Sequence, residues 1–128
     1  DPGVHVAGQS SLDDLDEAAA LGVRRVVSNR PDDEEPGQIS AASLAAEAAS
    51  RGLDFVHAPA RGMPGPAVVE AVEAALSAGE PVLLFCKSGM RSTVAWALAS
   101  ARSGRLNRDE IVAAAATAGY DVAALPLG

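Results

Sequence analysis

The sequence predicts a single α/β domain spanning residues 1–128, with a four-stranded, mainly parallel sheet flanked by helices. Three observations predict it. Short apolar, β-branched runs alternate with alanine-rich segments of helical length along the 128 residues, the pattern of strand–helix–strand units joined by right-handed crossovers. Glycine stands after most of the helical segments, where the chain must turn back. Val82 to Phe85 is apolar without alternation, as suits a central strand covered on both faces. A chain of this length can build one real core and is too short for two.

Taken in order, Val4 to Val6 is a first strand, and a helix starts near Ser11, where Ser-Leu-Asp-Asp resembles a capping box, and ends at Gly22. Val23 to Val27 is a second strand by its β-branched density. It runs into the acidic turn Ser28 to Gln38, whose two prolines exclude a helix interior. A long irregular loop on a small domain is often functional. Ser40 to Arg51 is an alanine-rich helix stopped by Gly52, and Leu53 to His57 is a third strand. After the Pro/Gly loop Ala58 to Pro66, a helix opens at Pro66 or Ala67 with Val68, Val69, Val72 and Leu76 on one face, and Gly79 stops it. The helix after the fourth strand runs from about Arg91 to Ser103 and Gly104, and Asn107-Arg108-Asp109-Glu110 caps a final helix that ends at Gly119. Parallel sheets bind ligands beyond the carboxyl ends of their strands, so the acidic turn, the Ala58 to Pro66 loop and Cys86 should share one mouth.

Cys86 follows directly on the fourth strand. Gly89 lets the backbone bend so that several N–H groups point inward, and the next helix adds its unpaired N–H groups and positive dipole end. Such a concavity is a cradle for an anion. A thiol there ionises readily, and Arg91 can close over the same space with a forked cation. Bringing a free cysteine from a pKa of about 8.5 to about 6 takes roughly 3 to 4 kcal/mol. A helix N-terminus supplies up to ~2 kcal/mol and a charge-assisted hydrogen bond roughly 1.5 to 3, which suffices. The plain alternative is that Cys86 is a small buried hydrophobe. The order strand, Cys, Gly, Arg-Ser, helix argues against it.

Ten basic against seventeen acidic residues give a net charge of -7, which opposes binding to a phosphate backbone, so no nucleic-acid partner is expected. A single cysteine rules out an internal disulfide, a paired redox motif and a thiolate-rich metal site. With the two histidines far apart at His5 and His57, no metal and no cofactor is expected. No apolar run reaches the roughly 18 residues of a membrane span. Scarce aromatics and abundant alanine imply helices packed close to the sheet through small side chains. The chain begins at Asp1 rather than Met, compatible with a removed leader or a trimmed chain, and a free reactive thiol makes the cytoplasm the expected location.

Three blocks in order, VSNRPDDEEPGQ (Val27 to Gln38), FCKSGMRS followed by Trp96 (Phe85 to Ser92), and AGYDVAAL (Ala118 to Leu125), resemble the phosphatase-like domain family found alone or fused to β-lactamase-like hydrolases. The resemblance covers nearly the whole chain. It implies a cysteine phosphatase-like fold akin to that of dual-specificity tyrosine phosphatases. It also implies one of two chemistries, since some members are described as sulfur transferases whose fused partners resemble persulfide dioxygenases. Cys86-Lys87-Ser88-Gly89-Met90-Arg91 departs from the tyrosine phosphatase motif: four residues separate Cys from Arg where that motif has five. The shorter spacing resembles the rhodanese loop. A tighter ring with one donor fewer suits a terminal sulfur better than a tetrahedral phosphoryl group.

The expected function is therefore a sulfurtransferase that forms a Cys86 persulfide and passes sulfur to a small thiol acceptor. Its substrate would be a small sulfane-sulfur compound, and a persulfide dioxygenase-like protein would be its partner. The alternatives are a tyrosine phosphatase-like hydrolase acting on phosphate esters and a non-catalytic module binding an anion or a partner protein. Cys86 is the candidate nucleophile. Arg91 would bind the anionic end of the substrate, or else pair with an acidic loop as a helix-start arginine. Ser92 stabilises the thiolate or caps the helix. Lys87, Ser88, Gly89 and Met90 form the anion-binding loop. Arg30 and Asp32, matching the family's Arg-Pro-Asp segment, form a salt bridge that orders the mouth or assist proton transfer. Asp33, Glu34 and Glu35 read as a solvated charge run. His57 reads as a hydrogen-bonded core residue near the mouth, and Trp96 as filling behind the loop. The Ala58 to Pro66 loop has no carboxylate and Asp54, within the third strand, should point away from the mouth, so the only nearby acids are on the turn from Asp32 to Glu35.

Overall fold

The computed structural model describes residues 4–8, 12–77 and 79–127, and the chain runs β1 (Val4–Ala7), α1 (Leu12–Ala20), β2 (Arg25–Ser28), α2 (Ala41–Ser50), β3 (Asp54–His57), α3 (Pro66–Ser77), β4 (Val82–Phe85), α4 (Met90–Arg102) and α5 (Arg108–Thr117). The four strands form one sheet in the order β1-β4-β2-β3, and every pairing is parallel. β4 is wholly buried because it has a strand on each side and helices above and below. Its apolar run serves two cores in alternation. Val82 and Leu84 face the core built with α3, α4 and α5, whereas Leu83 and Phe85 face the core built with α1 and α2. Burying such a side chain is worth roughly 1.5 to 3 kcal/mol, so the loop that follows β4 grows from the best-anchored strand.

The second and third strands begin two and one residues later than the apolar runs suggest, for a shared reason. The N–H of Val23 bonds back to Ala18 O at 3.0 Å and that of Leu53 to Ala48 O at 2.9 Å. Each thus closes the glycine turn of the preceding helix before the ladder starts. The Ser11 cap expected for α1 lies outside the described residues. Ser40 and Asn107 do cap α2 and α5, the latter in a reciprocal box with Glu110. In α4 the alanines Ala95, Ala97 and Ala99 are fully buried, and Trp96 fills the core behind the loop, so small side chains do bring this helix onto the sheet. Among the described residues, no helix is long and apolar enough to cross a membrane.

Register places the site. Ser28 is level with Phe85 and with His57 on its two neighbours. The strand ends are then stitched one step further, by Asn29 N–H to Phe85 O (2.8 Å), Ala58 N–H to Ser28 O (2.9 Å) and Ala60 N–H to Asn29 O (2.9 Å). The acidic turn, the loop after β3 and the cysteine loop therefore lie side by side at the carboxyl edge. Asp54 sits at the opposite end of β3, where it pairs with Arg25 at 3.5 Å.

Candidate active site

Cys86 is fully buried at the end of β4, and the loop curls round its sulfur. Gly89, the N-cap of α4, adopts φ 87°, a left-handed conformation that directs its N–H to Sγ at 3.1 Å. A side chain there is excluded twice over. The backbone favours glycine, and a Cβ would collide with the Tyr120 hydroxyl unless that side chain moved. Tyr120 reaches this point from the end of α5 and donates to Ser88 O at 3.0 Å, so it clasps the loop from outside. Met90 N–H is directed at the Ser88 hydroxyl (3.3 Å) rather than at the sulfur.

Burial is the largest influence on Cys86 and opposes its ionisation, but it is outweighed. The N–H groups of Ser92 and Ser88, the Ser92 hydroxyl and the Gly89 N–H together hold the thiol below its ordinary value. The Ser92 hydroxyl has one proton and two acceptors: the sulfur and Asn29 Oδ1, which lies 2.8 Å away. Once Cys86 is ionised the charged acceptor makes the stronger bond, so the proton turns to sulfur. Because only the thiolate is alkylated, the iodoacetamide rate of Cys86 should rise along a limb displaced below the pH of about 8.5 typical of a free thiol. A profile that follows free cysteine would refute the cradle.

Arg91 pairs with the acidic loop. Its Nη1 and Nη2 fork onto Glu34 Oε2 and Oε1, both at 2.8 Å, and Nη1 also donates to Ala60 O at 2.6 Å. Glu34, and after it the Cys86 thiolate, strengthens the hold of Arg91 on its proton. Glu34 is no solvated charge: bonds from Arg91 and Arg30 hold its carboxyl at about 2, well below the usual carboxylate range. Arg30 is buried and pairs with Glu34 (3.0 Å) and Glu35 (2.7 Å), not with Asp32. Lys87 reaches Glu35 at 3.1 Å, and Lys87 first, then Arg30, lowers that carboxyl. Asp32 instead accepts the Ala41 N–H at 2.8 Å and ties the turn to the start of α2. His57 is hydrogen-bonded, its Nε2 2.9 Å from Arg30 O, but it is exposed at the end of β3 rather than in the core.

Two supports were not foreseen. Asn29 is fully buried; its Nδ2 donates to Ala58 O at 2.9 Å while its Oδ1 accepts from Ser92, so one side chain ties the acidic turn to the loop after β3 and to the first turn of α4. Gln38 closes the acidic turn by accepting from Glu34 N–H (3.1 Å) and donating to Pro31 O (2.9 Å). The only sequence signal for either was the Val27 to Gln38 block itself.

Comparison with known proteins agrees with this geometry. Residues 1–103 match the model of the family described as beta-lactamase hydrolase-like protein, phosphatase-like domain. A beta-lactamase hydrolase-like protein of Agrobacterium fabrum is 32% identical over an alignment of 124 residues that covers 93% of this chain and 28% of that protein. This chain thus spans less than a third of the curated relative's length. Among solved structures, a Neisseria meningitidis protein put forward as a phosphatase is 30% identical with a TM-score of 0.76, covering 95% of this chain and 87% of that one. Tk-PTP in its active form is 24% identical with a TM-score of 0.66, covering 87% and 76%, and it shows the fold alone: that of a cysteine phosphatase.

Proposed function

This chain belongs to the phosphatase-like domain family of beta-lactamase hydrolase-like proteins, and from that premise we propose that it is an enzyme in which Cys86 accepts and passes on a sulfane sulfur. One observation carries the choice over phosphate hydrolysis. Cleaving a phosphate ester needs an acid to protonate the departing oxygen, commonly worth about 10² to 10⁴ in rate. Three of the four carboxylates on the turn at this mouth are engaged: Glu34 is held ionised by two arginines, Glu35 is held by Lys87 and Arg30, and Asp32 is bonded to the start of α2. A thiolate leaving group needs no such proton.

The Cys86 thiolate attacks the outer sulfur of R–S–S–H. The S–S bond breaks with its electron pair on the departing R–S⁻, leaving Cys86–S–S–H. The thiolate of a small acceptor then attacks the terminal sulfur, and Cys86 leaves as thiolate, so nothing is oxidised or reduced overall. Inward N–H groups stabilise that thiolate both as nucleophile and as leaving group. The product is a small persulfide, the class of compound that a persulfide dioxygenase-like partner would consume.

The test is intact mass after exposure to thiosulfate, glutathione persulfide and p-nitrophenyl phosphate in turn. The expected result is the addition of one sulfur atom to Cys86, discharged by cyanide or a small thiol and absent from Cys86→Ser. A protein that never takes up sulfur yet hydrolyses the phosphate ester would replace this reading with the phosphatase one, which the fold of its structural neighbours favours.

A further inference from the structure

The acidic turn supplies partners to Arg30, Lys87 and Arg91 together. Glu34 Oε1 accepts from Arg30 Nε (3.0 Å) and Arg91 Nη2 (2.8 Å) while its Oε2 accepts from Arg91 Nη1 (2.8 Å), and Glu35 Oε1 lies 2.7 Å from Arg30 Nη2 and 3.1 Å from Lys87 Nζ. The Arg91–Glu34 contact is fork to fork. The two side chains are only 19% and 23% exposed, so water and salt screen the pair less than a surface bridge. A tetrahedral oxyanion bound over Cys86 would use the same pair of Arg91 N–H directions that Glu34 uses. It would also bring a double negative charge against a carboxylate that Arg30, itself buried, holds in place. A neutral or singly charged sulfur chain meets neither obstacle.

We propose that Glu34 is a specificity-determining positioning residue: by holding the Arg91 fork it sets the Cys86 site against dianionic oxyanions, phosphate monoesters and thiosulfate alike, and in favour of organic persulfide donors. The proposal deepens the sulfur-transfer reading and rests on it for the identity of the favoured donor. The neutral amide introduced by Glu34→Gln can still accept one hydrogen bond from Arg91, but it leaves the guanidinium with an uncompensated charge.

The experiment measures how well inorganic phosphate protects Cys86 from iodoacetamide, at fixed pH and ionic strength, in wild type and Glu34→Gln. Phosphate is expected to protect Glu34→Gln at a concentration roughly tenfold lower, equivalent to ~1.4 kcal/mol. Loading of Cys86 from thiosulfate should rise relative to loading from an organic persulfide. A merely structural role for Glu34 would weaken protection and slow both loadings together. Equal protection of the two proteins overturns the proposal. Should circular dichroism show that Glu34→Gln does not fold, the wild type decides: half-protection by phosphate below about 10 mM overturns the proposal and half-protection only above that supports it. These readouts are separable from the premise, because a wild type that accepts sulfur from no donor sinks the transferase reading while leaving the phosphate comparison intact.

Discussion

Replacing Gly89 by alanine should lower the rate at which Cys86 takes up sulfur by about 10²-fold, the scale of loss seen when a reacting group is misplaced by about an ångström. Two strains combine at this position. A side chain at φ 87° costs about 1 to 2 kcal/mol in the left-handed region. The added Cβ would also collide with the Tyr120 hydroxyl and stand 3.3 Å from Ala7 O. Either Tyr120 is expelled, breaking its bond to Ser88 O, or the loop unwinds and withdraws the Gly89 N–H from Sγ. Both routes loosen the cradle while leaving the cysteine in place. The measurements are sulfur uptake by intact mass and thermal unfolding by circular dichroism. The double substitution Gly89→Ala, Tyr120→Ala should recover part of the stability, since it removes the collision but not the backbone strain. Wild-type uptake and an unchanged midpoint in the single variant would show that the close approach of Tyr120 has no consequence for the site.

Asn29→Ala should destabilise the fold by roughly 1 to 3 kcal/mol, the cost of a buried hydrogen bond left unmade at Ala58 O. The fully buried side chain makes a bond to Ala58 O (2.9 Å) and receives one from Ser92 (2.8 Å). Its backbone bonds to Phe85 and Ala60 remain, so β2 and β4 should stay paired. Urea unfolding is the check: the midpoint should fall with the slope unchanged. Thiol acidity should move the other way. Without Asn29 Oδ1 as a competing acceptor, the Ser92 hydroxyl is committed to the sulfur, so the alkylation limb of Cys86 should shift to lower pH or stay where it is. A shift to higher pH would mean that Asn29 positions Ser92 rather than competing for its proton.

Asn29 also shows where a sequence stops being legible. It lies in the Val27 to Gln38 block but has neither the periodicity of a core residue nor the charge of a site residue. Its partner Ser92 is 63 residues away. Glu34 was harder still, because a run of acids between two prolines in an irregular turn looks the same whether solvated or ion-paired. Its fork onto Arg91 spans 57 residues. The Arg30 to Asp32 pair failed for the same reason: neighbours in sequence were passed over because the turn aims Arg30 at Glu34 and Glu35 and Asp32 at the start of α2.

The elements, the buried central strand and the anion-binding turn after it were all legible from local chemistry. Each rests on interactions within a few residues: apolar alternation or its absence, a cap and its third residue, a glycine where φ must be positive. That is why the burial of Val82–Phe85, the capping of α5 and the Cys86 to Arg91 loop were readable at once. The strand order β1-β4-β2-β3, and through it which loops meet, came from the packing of the whole chain. Putting β4 beside β2 brings the acidic turn against the cysteine loop, and that adjacency gives Arg91 a carboxylate partner and Ser92 a second acceptor. A charged side chain carries no local record of its partner, because the energy of an ion pair depends on the distance and burial at which the folded chain brings the two groups together.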